Sequence, residues 1–225
     1  MTTLSPPLGP VKAFIFDLDG TLADTIFDLG SSVNAVLGEF GFPPHPIDQY
    51  KRMVGDGFSA LALRALPEEV SGDSNLVGAF SLRAAAMYKE NAIVTTKPFP
   101  GIELLLQELA GRGLPVGVLS NKPHPMTVDM VARLFPGFPF VDVRGEIPGK
   151  AKKPHPGQAL EIAGRFGLPF REWAFVGDSG VDMKTGASGG MRPIGALWGY
   201  RSREELLGAG ALELASSPGD LLRFI

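Results

Sequence analysis

The sequence predicts an α/β fold, a doubly wound and mostly parallel sheet with a small all-helical segment inserted after the first strand. Two observations predict it. Short apolar runs of strand length alternate with segments of helical period, which means βαβ crossovers. A single stretch, residues 22–96, breaks that alternation and carries helical periodicity alone.

The first strand is "AFIFD" (13–17). Three helix-period segments follow with no strand between them, at 24–41, 57–69 and 77–92, and the chain re-enters the sheet near "TKPFPG" (96–101). "GIELLLQELAGRG" (101–113) puts Ile102, Leu105, Leu106 and Leu109 on one helix face and stops at Gly111. Strands are expected at "PVGVLS" (115–120) and "FVDV" (140–143). A helix at 157–167, with Leu160, Ala163 and Phe166 inward, ends on Gly167, a residue suited to the left-handed position that closes helices. "WAFVG" (173–177) and "RPIGALW" (192–198) complete the sheet. Phe14, Ile15, Phe16, Val116, Val118, Phe175 and Val176 are the expected sheet core. The division that follows is a sheet domain of 1–21 with 97–225, and a helical domain of 22–96.

Composition removes several function classes. A net charge of −3 with no cluster of Lys or Arg argues against a nucleic-acid surface. Having no cysteine, the chain has no disulfide and no thiolate nucleophile. His45, His124 and His155 are scattered without metal-ligand spacing, so a zinc site is not expected, and His124 and His155 are read as loop or surface residues. The start "MTTLSPPLGPVK" lacks the layout of a signal peptide, and no apolar run is long enough to span a membrane. A cytoplasmic protein, monomeric or homodimeric, is the expectation.

Chemistry concentrates where the strands end. Asp17 and Asp19 follow Phe14-Ile15-Phe16, and Gly20 and Thr21 form the turn after them. Two like charges about 4 Å apart repel by roughly 4 kcal/mol at an effective dielectric near 20. "FVGDSGVDM" (175–183) repeats the pattern with Asp178 and Asp182, so four carboxylates are expected around one cleft at the carboxyl edge of the sheet. Oxygen-only ligands of this kind suit Mg²⁺. "VLSNKP" (118–123) brings Ser120 and Asn121, whose polar groups can hold a phosphoryl oxygen, and "KAKKPHP" (150–156) brings Lys153, a cation stiffened by Pro154 and Pro156. Mg²⁺ and Lys153 together leave the cleft with one negative charge.

"DLDGTLAD", "SNKP", "KKPHP" and "GDSGVDM", in this order, resemble the four signature motifs of the haloacid dehalogenase (HAD) superfamily, and in particular its phosphoglycolate phosphatase-like family. Residues 52–66 and 197–211 also look like stretches of those phosphatases. The resemblance implies a Rossmann-like core with residues 22–96 as its cap. It implies a Mg²⁺-dependent phosphatase acting on a small phosphorylated metabolite, with 2-phosphoglycolate the best candidate. Asp17 would be the nucleophile that forms an aspartyl-phosphate, and Asp19 the acid and base. Mg²⁺ would sit on Asp17, Asp178 and the backbone carbonyl of Asp19, with Asp182 acting through water or by orienting Lys153. Ser120, Asn121 and Lys153 would hold the phosphoryl group, and Gly20 and Thr21 would add N–H donors. The superfamily's dehalogenases typically need neither a second aspartate nor a metal, so Asp19 favours phosphoryl chemistry. Arg52, in the cap, is the candidate partner for a substrate carboxylate, weighed against a solvated helix-end role. A sugar phosphomutase and a non-catalytic phosphate- or partner-binding module are the alternative readings.

Overall fold

The computed structural model describes residues 9–225; the first eight residues of the expected sheet domain lie outside them. Six parallel strands form the central sheet: β1 (Ala13–Phe16), β4 (Val116–Pro123), β5 (Asp142–Glu146), β6 (Trp173–Gly177), β7 (Arg192–Ala196) and β8 (Glu213–Ala215). Their spatial order is β5-β4-β1-β6-β7-β8. The chain leaves β1 to one side and returns to its other side at β6, so a crevice opens where the strand order reverses. A two-stranded antiparallel ribbon, β2 (Ala23–Asp24) with β3 (Lys97–Pro98), brings the outgoing and returning chains together.

Between β2 and β3 there are only helices: α1 (Ile26–Glu39), α2 (Ile47–Met53), α3 (Phe58–Ala65) and α4 (Ser74–Asn91), with a short 3-10 turn at Glu68–Val70. α4 packs on both α1 and α3. It begins where Asp73 accepts the backbone N–H groups of Asn75 and Leu76. The sheet carries α5 (Ile102–Gly111), α6 (His124–Leu134), α7 (Gly157–Ala163), α8 (Gly180–Ser188) and α9 (Arg203–Gly208).

β1 is buried on both faces, and its side chains alternate between them. Phe14 and Phe16, stacked 5.7 Å apart, join the core under α5, α6 and the four-helix segment; Ala13 and Ile15 join Ile162 of α7 and Phe175 of β6 on the other face. Burial of each large apolar side chain stabilises the fold by about 1.5–3 kcal/mol. The seven side chains expected to form the sheet core are all buried.

Where the elements differ from expectation the reason is local. β4 runs past 120 to Pro123, with a shift of pairing register between Leu119 and Pro123, because polar Ser-Asn-Lys is buried there and does not turn out to solvent. α6 and α8, the helices after β4 and β6, were not among the elements expected from the sequence. Among the described residues no helix is long and apolar enough to cross a membrane.

One side chain fastens the returning chain to the helical segment. Asp28 in α1 is buried, and its carboxylate accepts N–H groups from Val94, Thr95 and Thr96 and the Thr95 hydroxyl, at 2.7–3.0 Å. Burial alone raises its pKa, but the hydrogen bonds from Thr95 and Thr96 outweigh it and hold the group below its ordinary value. A lowered carboxylate pKa stabilises the fold above about pH 4 and loses that contribution as pH falls towards the folded-state pKa. Asp28→Asn is therefore expected to cost about 3 kcal/mol at pH 7. In thermal unfolding at a series of pH values, the gap in Tm between variant and wild type should narrow below about pH 4; a constant gap would mean the charge is not what counts.

Candidate active site

Three neighbouring strands deliver the charged groups. Asp17 and Asp19 follow β1, Ser120, Asn121 and Lys122 form the end of β4, and Asp178 follows β6. Asp17 continues the sheet by donating its N–H to the Val176 carbonyl, 2.9 Å. Its Oδ1 accepts the Leu18 N–H at 2.7 Å and pairs with Lys153 Nζ at 2.8 Å. The same ammonium donates to Asp182 Oδ1 at 2.7 Å. Asp182 Oδ2 accepts the N–H and hydroxyl of Ser179, closing a capping box at the start of α8. Asp182 thus bears on Asp17 through the shared ammonium of Lys153.

Asp178 accepts the Thr21 hydroxyl at 3.2 Å on Oδ1 and the Tyr200 N–H at 2.8 Å on Oδ2. Gly20 makes this possible: its φ is +80°, and a Cβ there would overlap the Asp178 carboxylate. The N–H groups of Gly20 and Thr21 go to the carbonyls of Ala23 and Leu18. Contrary to expectation, neither is free for a phosphate oxygen, and the segment buttresses Asp178 instead.

Asn121 departs from expectation in the same way. Its amide exchanges two hydrogen bonds of 3.0 Å with the backbone of Lys153 and donates a third to the Gly55 carbonyl in the loop after α2. Its contribution is therefore to position Lys153 and that loop. Ser120 is buried, and its Oγ accepts the Lys122 N–H at 3.1 Å, leaving its own proton for a ligand.

Two groups next to Asp19 went unread in the sequence. Lys122 is buried and ion-paired with Asp19 Oδ1, while also donating to the Tyr88 hydroxyl of α4 at 3.2 Å. Thr25 stands at the N-terminus of α1, but its hydroxyl donates to Asp19 Oδ1 at 2.6 Å and does not cap the helix. Strand period contained a signal for Lys122, since position 122 shares a face with Ser120 if β4 continues. Tyr200 and Arg201, in the turn after β7, lie in the stretch 197–211 that resembles the phosphoglycolate phosphatases, but no pattern in it assigned them to the cleft.

Of the expected residues, Asp17, Asp19, Gly20, Thr21, Ser120, Asn121, Lys153, Asp178 and Asp182 come together. Arg52 does not. It is exposed on the rim of a separate outer cavity. His124 and His155 accept backbone N–H groups from Gly145 and Gly157 and take no part.

The electrostatics show a deficit of positive charge. Burial, then Asp182 and Asp178, push the Asp17 carboxyl well above its ordinary range, against the pull of Lys153. Burial, helped by Asp182, raises Asp178 to about 7, against the Tyr200 N–H, Arg201 and Thr21. Burial would lower Lys153, but Asp17 and Asp182 outweigh it and raise its pKa. Lys153 and Lys122 pair with members of the cluster and Arg201 acts on Asp178, but Asp17 and Asp178 remain under-compensated, and that negative charge is what a divalent cation would offset. Asp17, Asp178 and Asp182 offer carboxylate oxygens within 4.8 Å of one another, an oxygen donor set that could hold such an ion.

Above the carboxylates lies a chamber of about 40 Å³, floored by Asp17, Asp19, Ser120 and Lys122 and roofed by Val54 and Phe58 of the helical segment.

The family model for a haloacid dehalogenase-like hydrolase matches residues 11–190. The chain belongs to this family. Among curated relatives of this HAD-like hydrolase, the phosphoglycolate phosphatase of Rhodospirillum rubrum is 33% identical over 95% of this chain and 91% of its own. That of Photorhabdus laumondii is 31% identical over 90% and 87%. A crystal structure from Lactobacillus delbrueckii subsp. bulgaricus, described as a candidate phosphoglycolate phosphatase, superposes with a TM-score of 0.88 at 29% identity, covering 94% of this chain and 97% of that one.

The raised carboxyl groups set a metal test. A group with a higher pKa folded than unfolded binds protons more tightly when folded, so the metal-free enzyme should lose stability as pH rises from about 4 through 7. Added Mg²⁺ is expected to raise Tm, and by more at pH 8 than at pH 5. Equal increments at the two pH values would exclude these carboxylates as the ligands.

Proposed function

We propose that this phosphatase, a phosphoric monoester hydrolase, cleaves 2-phosphoglycolate through a phosphoryl group carried on Asp17. The observation that carries the reading is the convergence of Asp17, Asp19, Ser120 and Asp178 at the carboxyl ends of three adjacent strands, with Lys153 brought to them by the loop between β5 and α7.

Asp17 attacks phosphorus as its carboxylate, Oδ1 being fixed by Leu18 and Lys153. The ester P–O bond breaks, and Asp19 gives its proton to the departing alkoxide. Asp19 then takes a proton from the water that attacks the aspartyl-phosphate; the bond between phosphorus and Asp17 breaks, releasing inorganic phosphate. Thr25 and Lys122 orient the carboxylate that makes both transfers. Ser120 and Lys153 hold the phosphoryl oxygens, and phosphoryl transfer needs little beyond such positioning and charge stabilisation. Mg²⁺ would be held by Asp17, Asp178 and the Asp19 carbonyl, and would supply charge neutralisation for the reaction.

The same reading treats residues 22–96 as a cap that closes over the core and excludes water. It includes a cytoplasmic enzyme, monomeric or homodimeric, meeting a small diffusible metabolite.

Release of inorganic phosphate from a panel of esters tests the proposal. 2-Phosphoglycolate should be turned over fastest, chelation of Mg²⁺ should stop the reaction, and Asp17→Asn should lower kcat by about 10⁴-fold or more. Isomerisation of a hexose phosphate without phosphate release would replace this reading with the mutase one; an unaffected Asp17→Asn variant would sink both.

A further inference from the structure

Arg201 occupies a place that the mechanism above does not use. It lies in the turn between β7 and α9, and its neighbour Tyr200 is pinned by the N–H bond to Asp178. Its side chain is 11% exposed, crossing from the core to the loop of the helical segment. Nη2 donates to the carbonyls of Val54 at 2.9 Å and Arg52 at 3.4 Å, and Nε donates to Glu205 at 3.1 Å. Nη1 is buried and has no partner among the described residues. A buried donor in a charged fork is seldom left empty unless something outside the chain fills it.

Its position says what that could be. Arg201 shares with Asp17, Asp19, Asp178, Val54 and Gly55 a recess of about 10 Å³, the room of one water, and its charge acts on the Asp178 carboxylate there. It also lines the outer cavity of about 720 Å³, where Arg52, Arg64 and Lys184 exceed Asp56 and Glu205 in charge and favour the approach of an anion. At the phosphoryl end, Lys153 pairs with Asp17 and Ser120 lines the chamber. Lys122, the remaining cation of the cleft, already contacts Asp19, Tyr88 and the Met130 sulfur.

We propose that Arg201 determines specificity by binding, through the N–H groups of Nη1, a carboxylate carried on the alcohol half of the substrate. The inference rests on the carboxylate-bearing substrate proposed above and moves its recognition from Arg52, on the exposed rim, to a residue of the core. A guanidinium held by two backbone carbonyls is pre-organised to receive such a group, and it gives little to a neutral analogue.

The test compares kcat/KM for 2-phosphoglycolate with that for its amide, phosphoglycolamide, which has the same shape without the charge. Wild type should favour the acid by about 30-fold or more, and Arg201→Gln should bring the ratio close to one. Arg52→Ala should leave the ratio as in wild type. If Arg201→Gln lowers both rates equally and the ratio holds, Arg201 merely latches the loop and the inference fails. Should that variant not fold, Arg201→Lys serves, with a ratio reduced by at least about 5-fold expected and an unchanged ratio overturning the proposal. Failure of wild type to hydrolyse 2-phosphoglycolate at all would defeat the proposed function. Hydrolysis with no preference over the amide would defeat only the role of Arg201.

Discussion

The structure is organised by the need to keep four carboxylates together at one edge of a sheet. Asp17, Asp178 and Asp182 are buried and Asp19 lies nearly so, and the surroundings of Asp17 and Asp178 favour their neutral forms. Lys153 answers two of them from one side and Lys122 answers Asp19 from the other. Removing a single partner from such a buried arrangement typically costs 3–5 kcal/mol, about as much as several core contacts. The residues around the cluster make sense as fasteners for these charges. Asn121 holds the backbone of Lys153, Thr21 and Tyr200 hold Asp178, and Ser179 holds Asp182.

The helical segment depends on the same groups. Lys122 reaches Tyr88 in α4, Thr25 starts α1 while bonded to Asp19, and Asn121 reaches the carbonyl of Gly55. Charge compensation and the placement of the roof over the chamber are therefore achieved by shared side chains. Asp28 does for the connecting chain what these do for the cleft, gathering otherwise unpaired N–H groups onto one buried carboxylate.

Much of this was legible in the sequence because it rests on local pattern. Apolar runs ending in Asp-x-Asp and Gly-Asp, with helical periods between them, located the sheet, its order of chemistry and the charged rim. What escaped notice depended on distance in the chain. Lys122 received no role because β4 was expected to end at 120, and only the burial of Ser-Asn-Lys carries the strand onward. Tyr200 meets Asp178 through its backbone N–H, which side-chain identity cannot announce. Gly20 and Thr21 were expected to bind phosphate since their residue types suit it, yet the turn consumes both N–H groups itself.

The three hydrogen bonds of Asn121 join two loops far apart in sequence, one bearing Gly55 over the chamber and one bearing Lys153 beneath it. Any remodelling of the upper loop to admit a bulkier molecule pulls on the lower one through a single amide group. The placement of the roof and the placement of the ammonium beside Asp17 are thus mechanically linked in this scaffold, and drift in one carries the other with it.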